Sequence, residues 1–238
     1  MFARSHHQKI ARVLYRLNAS LLRELQCYFA GGTAVALRYG EFRESVDMDF
    51  LVSDRNSYRK LRQILNTNNG LEPIFYDGGE PIRTLRDVRM DQYGIRTLLG
   101  IDDQQIKFEI ILEARMSLDD PSSADQICGL ATLTALDMAA EKMLANSDRW
   151  RDDSVFSRDL IDLAMIDLPL KLGIQALTKA EQAYGHSVRE DLHKAIARVE
   201  SQPEWLERCR EMLAISLPRA VLWKHIRSLK KFLSISTS

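Results

Sequence analysis

Two aspartates, Asp47 and Asp49, alternate with apolar residues in the run 46–52, and this period of two predicts a β-strand. Alternate residues of a strand point to the same face with Cα atoms about 6.5 to 7 Å apart, so both carboxylates can converge on one point. Two such carboxylates repel each other unless a cation lies between them, and their hard oxygens suit Mg²⁺ or Mn²⁺. The pair therefore predicts a metal site, although two acids on the solvated face of a strand are also common.

A third carboxylate, Glu109, lies in the β-rich run 105–112, which two aspartates separate from a similar run at residues 95–101. We interpret the two runs as a hairpin or as adjacent strands. A neighbouring strand could bring Glu109 beside Asp47 and Asp49. Three carboxylates can hold two metal ions, one of which activates an attacking hydroxyl while the other neutralises a leaving pyrophosphate.

A glycine pair, Gly31 and Gly32, follows the short apolar run 28–30 and precedes a small-residue helix predicted at residues 33–39, with Thr33 as its cap. Glycines allow the backbone to approach a phosphate without a Cβ in the way, and the N-terminus of a helix presents unpaired N–H groups to an anion. A strand, a glycine turn, a helix and an acidic strand form a layout suited to phosphate and metal. The alternative is that the glycines only make a tight turn.

Hydrophobic periodicity predicts the elements that position these residues. Further helices are expected at residues 8–25, 56–65, 133–144, 157–166 and 205–213. The stretch 119–123 has the composition of a connector, and the pattern after residue 121 is helical almost to the end. The sequence therefore predicts an α+β fold, with a small mixed sheet flanked by helices in residues 1–118 and a helical domain in residues 119–238.

Composition narrows the classes of protein. The 238 residues are 45% hydrophobic, and 33 basic residues balance 33 acidic ones, which argues against a surface covered in phosphate-binding charge but allows a local patch. Three scattered cysteines indicate neither a disulfide framework nor a zinc site, and the five histidines, including adjacent His6 and His7, are expected at the surface. The sequence contains neither a long apolar run nor the apolar core of a secretion signal, so the expected location is the cytoplasm, without membrane contact.

Four segments resemble, in the same order, the motifs of AbiEii/AbiGii-type nucleotidyltransferase-like toxins. They are Phe29-Ala-Gly-Gly-Thr-Ala-Val-Ala-Leu-Arg-Tyr-Gly with Phe42-Arg-Glu-Ser-Val-Asp-Met-Asp-Phe, then Lys107-Phe-Glu-Ile, then Ala140-Glu-Lys-Met-Leu-Ala-Asn-Ser-Asp-Arg-Trp, and finally Ser157-Arg-Asp-Leu-Ile-Asp-Leu-Ala. Together they cover roughly residues 28–166. The resemblance implies a DNA polymerase β-like nucleotidyltransferase fold in which a helical domain closes over the nucleotide.

The resemblance also implies roles for single residues. Gly31, Gly32 and Thr33 are expected to cradle the triphosphate of an NTP, with the threonine hydroxyl standing where the wider superfamily commonly has serine. Asp47, Asp49 and Glu109 keep the metal-binding role that their residue types already indicate.

Arg43 and Ser45 are implied to contact phosphates or to fix the loop before the acidic strand. Arg43 could instead form a surface ion pair with Glu41 or Glu44. Lys142 is implied to place a positive charge near the triphosphate and to stabilise charge that develops during phosphoryl transfer. The alternative for Lys142 is an ordinary exposed lysine on a helix.

Asp159 and Asp162 lie three apart on a predicted helix and so share a face. Asp159 is the preferred functional residue and one of the two could act as a base. Asp162 could instead bond Arg149 or Arg151 and hold two helices together.

The expected activity is transfer of a nucleoside monophosphate from an NTP to an acceptor hydroxyl, with release of pyrophosphate. By resemblance the acceptor is RNA, such as a tRNA 3′ end, and the protein is a growth-arresting toxin controlled by an antitoxin. A second hypothesis keeps the fold but makes a small molecule or a protein the acceptor, which the zero formal net charge slightly favours. A third makes the chain a non-catalytic nucleotide-binding module.

Overall fold

A computed structural model of the protein describes residues 2–68, 70–76, 78 and 82–234. The chain forms two compact units. The first consists of Met1–Glu41 and Ser45–Thr134, and the second of Phe42–Glu44 and Ala135–Ser238. The division after Thr134 differs from the predicted boundary after residue 118.

The first unit combines helices with a mixed sheet. Its helices are α1 (Ser5–Arg16), α2 (Ala19–Glu24), α3 (Gly31–Arg38) and α4 (Arg55–Thr67). Its strands are β1 (Tyr28–Ala30), β2 (Met48–Val52), β3 (Arg83–Thr84), β4 (Arg89–Met90), β5 (Gly94–Ile101), β6 (Gln104–Leu112), β7 (Gln126–Ile127) and β8 (Leu130–Ala131).

The main sheet has the strand order β1-β2-β6-β5-β3, and β4 also pairs with β5. Strands β2 and β6 run parallel, whereas β1 is antiparallel to β2 and β5 is antiparallel to β6, β3 and β4. The predicted hairpin of two β-rich runs is the β5–β6 pair. The small mixed sheet expected from the sequence is confirmed.

Three phenylalanines fix the register of the central strands. The ring centroids of Phe29 and Phe50 are 5.3 Å apart and those of Phe50 and Phe108 are 5.5 Å apart, and all three side chains are fully buried. Successive side chains of a strand point to opposite faces, so burying Phe50 turns its neighbour Asp49 to the other face. A slip of one residue would bury the carboxylate in this aromatic core.

The helix predicted at residues 8–25 is two helices in the structure. Leu17 is extended, with φ −68° and ψ 140°, and ends α1. Asn18 then caps α2, because its side chain accepts a hydrogen bond from the backbone N–H of Leu21 at 3.1 Å. A side-chain oxygen at the N-cap satisfies an N–H that would otherwise lack a partner, and this offsets the cost of interrupting the helix.

The helical pattern expected directly after residue 121 is wrong for residues 126–131. Strands β7 and β8 form a hairpin there, with positive φ values at both turn residues, Cys128 at 52° and Gly129 at 81°. Asp125 forms an ion pair of 2.6 Å with Arg38 of α3. These contacts assign residues 119–134 to the first unit.

The second unit is helical, as the sequence predicts. Its helices are α5 (Ala135–Arg149), α6 (Arg158–Ile166), α7 (Leu170–Tyr184), α8 (Ser187–Ser201), α9 (Pro203–Met212), α10 (Arg219–Ser228) and α11 (Lys230–Leu233). Helix α5 packs against α6, α7 and α8. Within the described residues, no helix is both long and apolar enough to cross a membrane.

A short segment from the first half of the chain completes the second unit. Phe42 is 2% exposed, and its carbonyl accepts a hydrogen bond from Ser216 N–H at 2.9 Å. The N–H of Glu44 donates to the carbonyl of Leu213 at 3.1 Å. The segment Phe42–Glu44 is therefore held by the loop that follows α9.

Candidate active site

The glycine turn lies against the second strand of the sheet. Gly31 has a φ of 72°, and a Cβ added to it would lie 2.3 Å from Asp49 Oδ2 and 2.8 Å from Asp49 Cβ. Both distances are shorter than real Cβ atoms tolerate, and the positive φ also favours glycine. Ala30 and Asp49 are register partners across β1 and β2. The fold therefore brings the glycine turn and one of the two paired carboxylates together.

Thr33 fixes the loop before β2 and does not cap α3. The helix begins at Gly31, two residues earlier than predicted, and its N-cap residue Ala30 makes no side-chain cap bond. The buried hydroxyl of Thr33 donates to the backbone carbonyl of Asp47 and lies 2.9 Å from Ser45 Oγ. The cap prediction was wrong because this hydroxyl is used in a contact with residues twelve and fourteen positions away.

A buried histidine holds the same loop. His7 is 0% exposed, its Nδ1 lies 2.8 Å from Glu41 Oε1, and its Nε2 accepts a hydrogen bond from the backbone N–H of Ser45 at 3.2 Å. The pKa of His7 lies below its ordinary value of 6.5, because the effect of burial, which lowers the pKa, outweighs the opposing effect of the Glu41 carboxylate. The neutral imidazole with its proton on Nδ1 satisfies both contacts. The surface role expected for His7 was therefore wrong.

Asp49 and Glu109 stand side by side on the face opposite the phenylalanines. They are register partners on the parallel strands β2 and β6, so their side chains share a face. Glu109 is held by two cations: Lys107 Nζ is 2.5 Å from its Oε2, and Arg96 Nε is 3.2 Å from its Oε1.

Lys107 interacts electrostatically with all three carboxylates. Partial burial alone would lower the pKa of Lys107, but the hydrogen bond and charge of Glu109, together with the charges of Asp47 and Asp49, raise it above 10.5. The ammonium group is therefore charged at neutral pH and offsets part of the repulsion between the acids.

Asp47 and Asp49 fit a divalent cation by the chemistry of their donor atoms. Both are half-buried and both offer the carboxylate oxygens that Mg²⁺ prefers. Glu109 is engaged with Lys107 and Arg96, and within the described residues no group of three or more His, Cys, Asp or Glu side chains is arranged to hold a metal ion. The aspartate pair thus fits a metal by the chemistry of its oxygens, and Glu109 could join it only by leaving its cations.

The second unit contains a buried charge network. Asp162 is 0% exposed and accepts two hydrogen bonds from Arg43, Nε at 2.6 Å and Nη2 at 2.8 Å, while Lys142 Nζ lies 2.7 Å from its Oδ2. Lys142 Nζ also lies 3.2 Å from Asp159 Oδ1, and Arg149 Nη2 is 2.7 Å from Asp159 Oδ2. Three cations therefore share two carboxylates.

Mutual attraction favours the charged forms of Lys142, Asp159 and Arg43. Burial alone would lower the pKa of Lys142 and raise that of Asp159. The opposing charges prevail, so the pKa of Lys142 is raised and the pKa of Asp159 is lowered. For Arg43, too, the charge of Asp162 outweighs burial and raises the pKa. Removing Asp162 would leave the buried guanidinium group of Arg43 without the carboxylate that it pairs with.

Several predicted contacts differ from those observed. Arg43 is 3% exposed and pairs with Asp162 instead of the predicted surface partners Glu41 or Glu44. Its Nη1 donates to the backbone carbonyl of Glu44 at 2.7 Å. Asp162 does not bond Arg149, whose partner is Asp159.

Lys142 is not an ordinary exposed lysine, since its side chain is 9% exposed. The Arg43–Asp162 pair joins residues 119 positions apart, and local spacing gives no signal of it.

The profile of the family described as "Nucleotidyl transferase AbiEii toxin, Type IV TA system" matches residues 12–228. No curated protein sequence matches the chain.

Two solved structures resemble the fold. The protein JHP933 from Helicobacter pylori has a TM-score of 0.50 and 18% identity, with 98% of this chain and 95% of that chain covered. A candidate nucleotidyltransferase from H. pylori has a TM-score of 0.48 and 18% identity, with 95% of this chain and 94% of that chain covered. At such identity the likeness to JHP933 shows a shared fold alone. Because the family profile spans nearly the whole chain, the protein belongs to the AbiEii nucleotidyl transferase toxin family of type IV toxin–antitoxin systems.

Proposed function

We propose that this protein transfers a nucleoside monophosphate from an NTP to a hydroxyl of RNA, such as a tRNA 3′ end, and that this activity makes it the toxin of a toxin–antitoxin pair. One observation carries the proposal: the carboxylate of Asp49 lies against Gly31, with Asp47 two residues before it and Glu109 in register beside it. A cognate antitoxin is the partner that membership of the family implies.

The reaction needs two things: a site that binds the triphosphate, and negatively charged groups that bind the cation accompanying it. The backbone at Gly31, Gly32 and Thr33 supplies the first, because it opens a helix and its first residue carries no Cβ. Asp47 and Asp49 supply the second, and Mg²⁺ or Mn²⁺ bound there would neutralise phosphate charge. The acceptor oxygen bonds to the α-phosphorus, the bond from that phosphorus to the oxygen bridging it to the β-phosphorus breaks, pyrophosphate leaves, and the hydroxyl proton passes to water.

His7, Thr33 and Ser45 act as positioning residues for the acidic pair. Thr33 bonds the carbonyl of Asp47, and His7 bonds the N–H of Ser45, so the loop is held at both ends. Preorganised ligands cost little reorganisation when the substrate binds. Ser45 would therefore act through the loop, which is one of the two roles expected for it.

The proposal keeps a role in the reaction for Lys142 and Asp159, on the condition that phosphate can reach the ammonium group of Lys142. The ammonium group of Lys142 is charged but lies within 3.2 Å of two carboxylates, so phosphate could become its partner only by replacing one of them. The same network gives Arg43 a structural task through Asp162. A Lys142→Ala variant that keeps its fold but shows a raised KM for NTP would support contact with phosphate. A lowered Tm with unchanged KM would assign Lys142 to stability alone.

Label transfer tests the function. Purified protein is incubated with Mg²⁺, each NTP labelled at the α-phosphate, and total RNA, alongside an Asp49→Ala variant. We expect labelled RNA with the wild type and none with the variant. Label in the protein or small-molecule fraction would move the acceptor to those classes, and absence of transfer from every NTP would refute the proposal.

A further inference from the structure

A basic cavity lies next to the carboxylates on the same face of the sheet. Its volume is about 660 Å³, and its charged lining comprises Arg86, Arg89, Arg96 and Lys107 together with two acids, Asp87 and Glu109. Arg96 and Lys107 pair with Glu109, and Arg96 also lies 3.3 Å from Asp91, so the surplus of positive charge rests on Arg86 and Arg89, set against Asp87. Such a surface attracts anions.

The cations of the basic cavity are accessible. Arg86 and Arg89 are exposed, and the side chains of Arg96 and Lys107 are 40% and 52% exposed. The backbone of Arg86 is fixed, because Thr97 Oγ1 donates to its carbonyl at 2.6 Å. The cavity therefore offers guanidinium groups to a ligand without requiring the core to open.

Strand register places the cavity in line with the acidic site. Asp49 pairs with Glu109, Glu109 pairs with Arg96, and Arg96 pairs with Arg89. Directly opposed residues share a face, so these four side chains form one row across the sheet. The glycine turn lies at the far end of this row, because Ala30 is the register partner of Asp49 on β1.

The length of this row favours a polymer over a nucleotide. Three strand spacings separate Asp49 from Arg89, a span of roughly 14 Å. A triphosphate bound at the glycine turn lies on the other side of Asp49, and its three phosphoryl groups are too short a chain to extend along the row to Arg89 as well. A strand of phosphodiesters repeats its charge along its length and can follow the row.

The geometry of phosphoryl transfer gives the strand a direction. The attacking and leaving oxygens lie roughly in line on opposite sides of the phosphorus. If the triphosphate lies at Gly31–Thr33, the acceptor hydroxyl approaches from the β6 side, where the basic cavity lies. We propose that the basic cavity binds the phosphate backbone of the acceptor RNA strand and directs its terminal hydroxyl toward Asp49. The identity of the acceptor rests on the proposed function, but RNA binding does not require catalysis.

Binding measured without NTP or metal separates the two proposals. The probe is a fluorescein-labelled single-stranded oligouridylate, and its anisotropy is followed with the wild-type chain, an Arg86→Ala/Arg89→Ala variant, and an Arg55→Ala/Arg59→Ala control. The control removes the same charge from exposed positions on α4 of the same unit. Each phosphate contact to a single strand contributes about 0.7 to the slope of log K against log salt, so losing two contacts lowers the slope by about 1.4 and the affinity about 25-fold at 0.1 M salt.

We expect these changes in the cavity variant and wild-type binding in the control. Equal losses in both double variants, an unchanged salt slope in the cavity variant, or a wild-type chain that does not bind the probe would each overturn the inference. So would a cavity variant that binds RNA normally but fails to bind NTP or an acidic partner protein. Weaker RNA binding by the cavity variant, in a chain that never transfers label, would leave this inference standing while the proposed function fails.

Discussion

Replacing Gly31 by alanine tests whether the close approach of the glycine turn to Asp49 matters for activity. The new Cβ would lie 2.3 Å from Asp49 Oδ2, and that distance must increase to at least 3.0 Å. Rotating the carboxylate is not enough, because the Cβ of Asp49 would itself be only 2.8 Å away. The strand or the turn must therefore shift.

Gly40→Ala is a matched control for the cost in stability. Gly40 has a φ of 84°, close to the 72° of Gly31, but an added Cβ there meets no atom within 4 Å. A left-handed backbone costs an L-residue roughly 1–2 kcal/mol, so both variants lose at least this much stability. For a chain of this size that amounts to a Tm lower by roughly 2–8 °C.

Only Gly31→Ala should lose activity beyond this shared cost. A misplacement of about 1 Å at a reacting centre can lower the rate about 100-fold, and we expect a loss of that order in nucleotide transfer, measured well below either Tm. Gly40→Ala should transfer nucleotide at a rate close to that of the wild type. A Gly31→Ala enzyme with wild-type kcat, or equal losses in both variants, would refute the reasoning.

Three further predictions concern charge. Asp162→Asn removes a buried carboxylate that both Arg43 and Lys142 pair with, so the free energy of unfolding should fall by about 3 kcal/mol. Asp153→Asn weakens an exposed ion pair and should leave Tm nearly unchanged. Thermal unfolding measures both variants. Because the pKa of His7 is lowered in the folded chain, the unfolded chain binds this proton at a higher pH than the folded chain does. The contribution of His7 to stability should therefore be complete above pH 6.5 and decline as the pH falls from there. Thermal unfolding followed across pH should show this decline in the wild type and not in His7→Gln. Chelation of divalent cations by EDTA should stop label transfer and excess Mg²⁺ should restore it; transfer that persists in EDTA would contradict a metal at the aspartate pair.

Local pattern was enough to predict the parts of the fold that depend on neighbouring residues. The alternation around Asp47 and Asp49 indicated β2, and the two β-rich runs indicated the β5–β6 hairpin, because burial on one face imposes a period of two. The register that sets Glu109 beside Asp49 depends on the packing of Phe50 against Phe29 and Phe108, and periodicity alone does not fix it.

The missed features depend on contacts between distant residues. Thr33 resembles an N-cap, yet its hydroxyl bonds the loop before β2. His7 is buried because its two ring nitrogens meet Glu41 and Ser45, more than thirty positions away. The β7–β8 turn at Cys128 lacks the Asn-Gly or Asp-Gly pair that marks two positive φ values. In each case a long-range polar contact or an unusual turn residue overrode the local signal.

The most direct test of the account is a crystal structure of the full chain with a non-hydrolysable NTP analogue and Mn²⁺, whose anomalous scattering marks the metal. We predict an anomalous peak between the carboxylates of Asp47 and Asp49, with the triphosphate against Gly31–Thr33. Manganese and triphosphate bound elsewhere, with Asp49 still turned toward Gly31 and without a ligand, would contradict it.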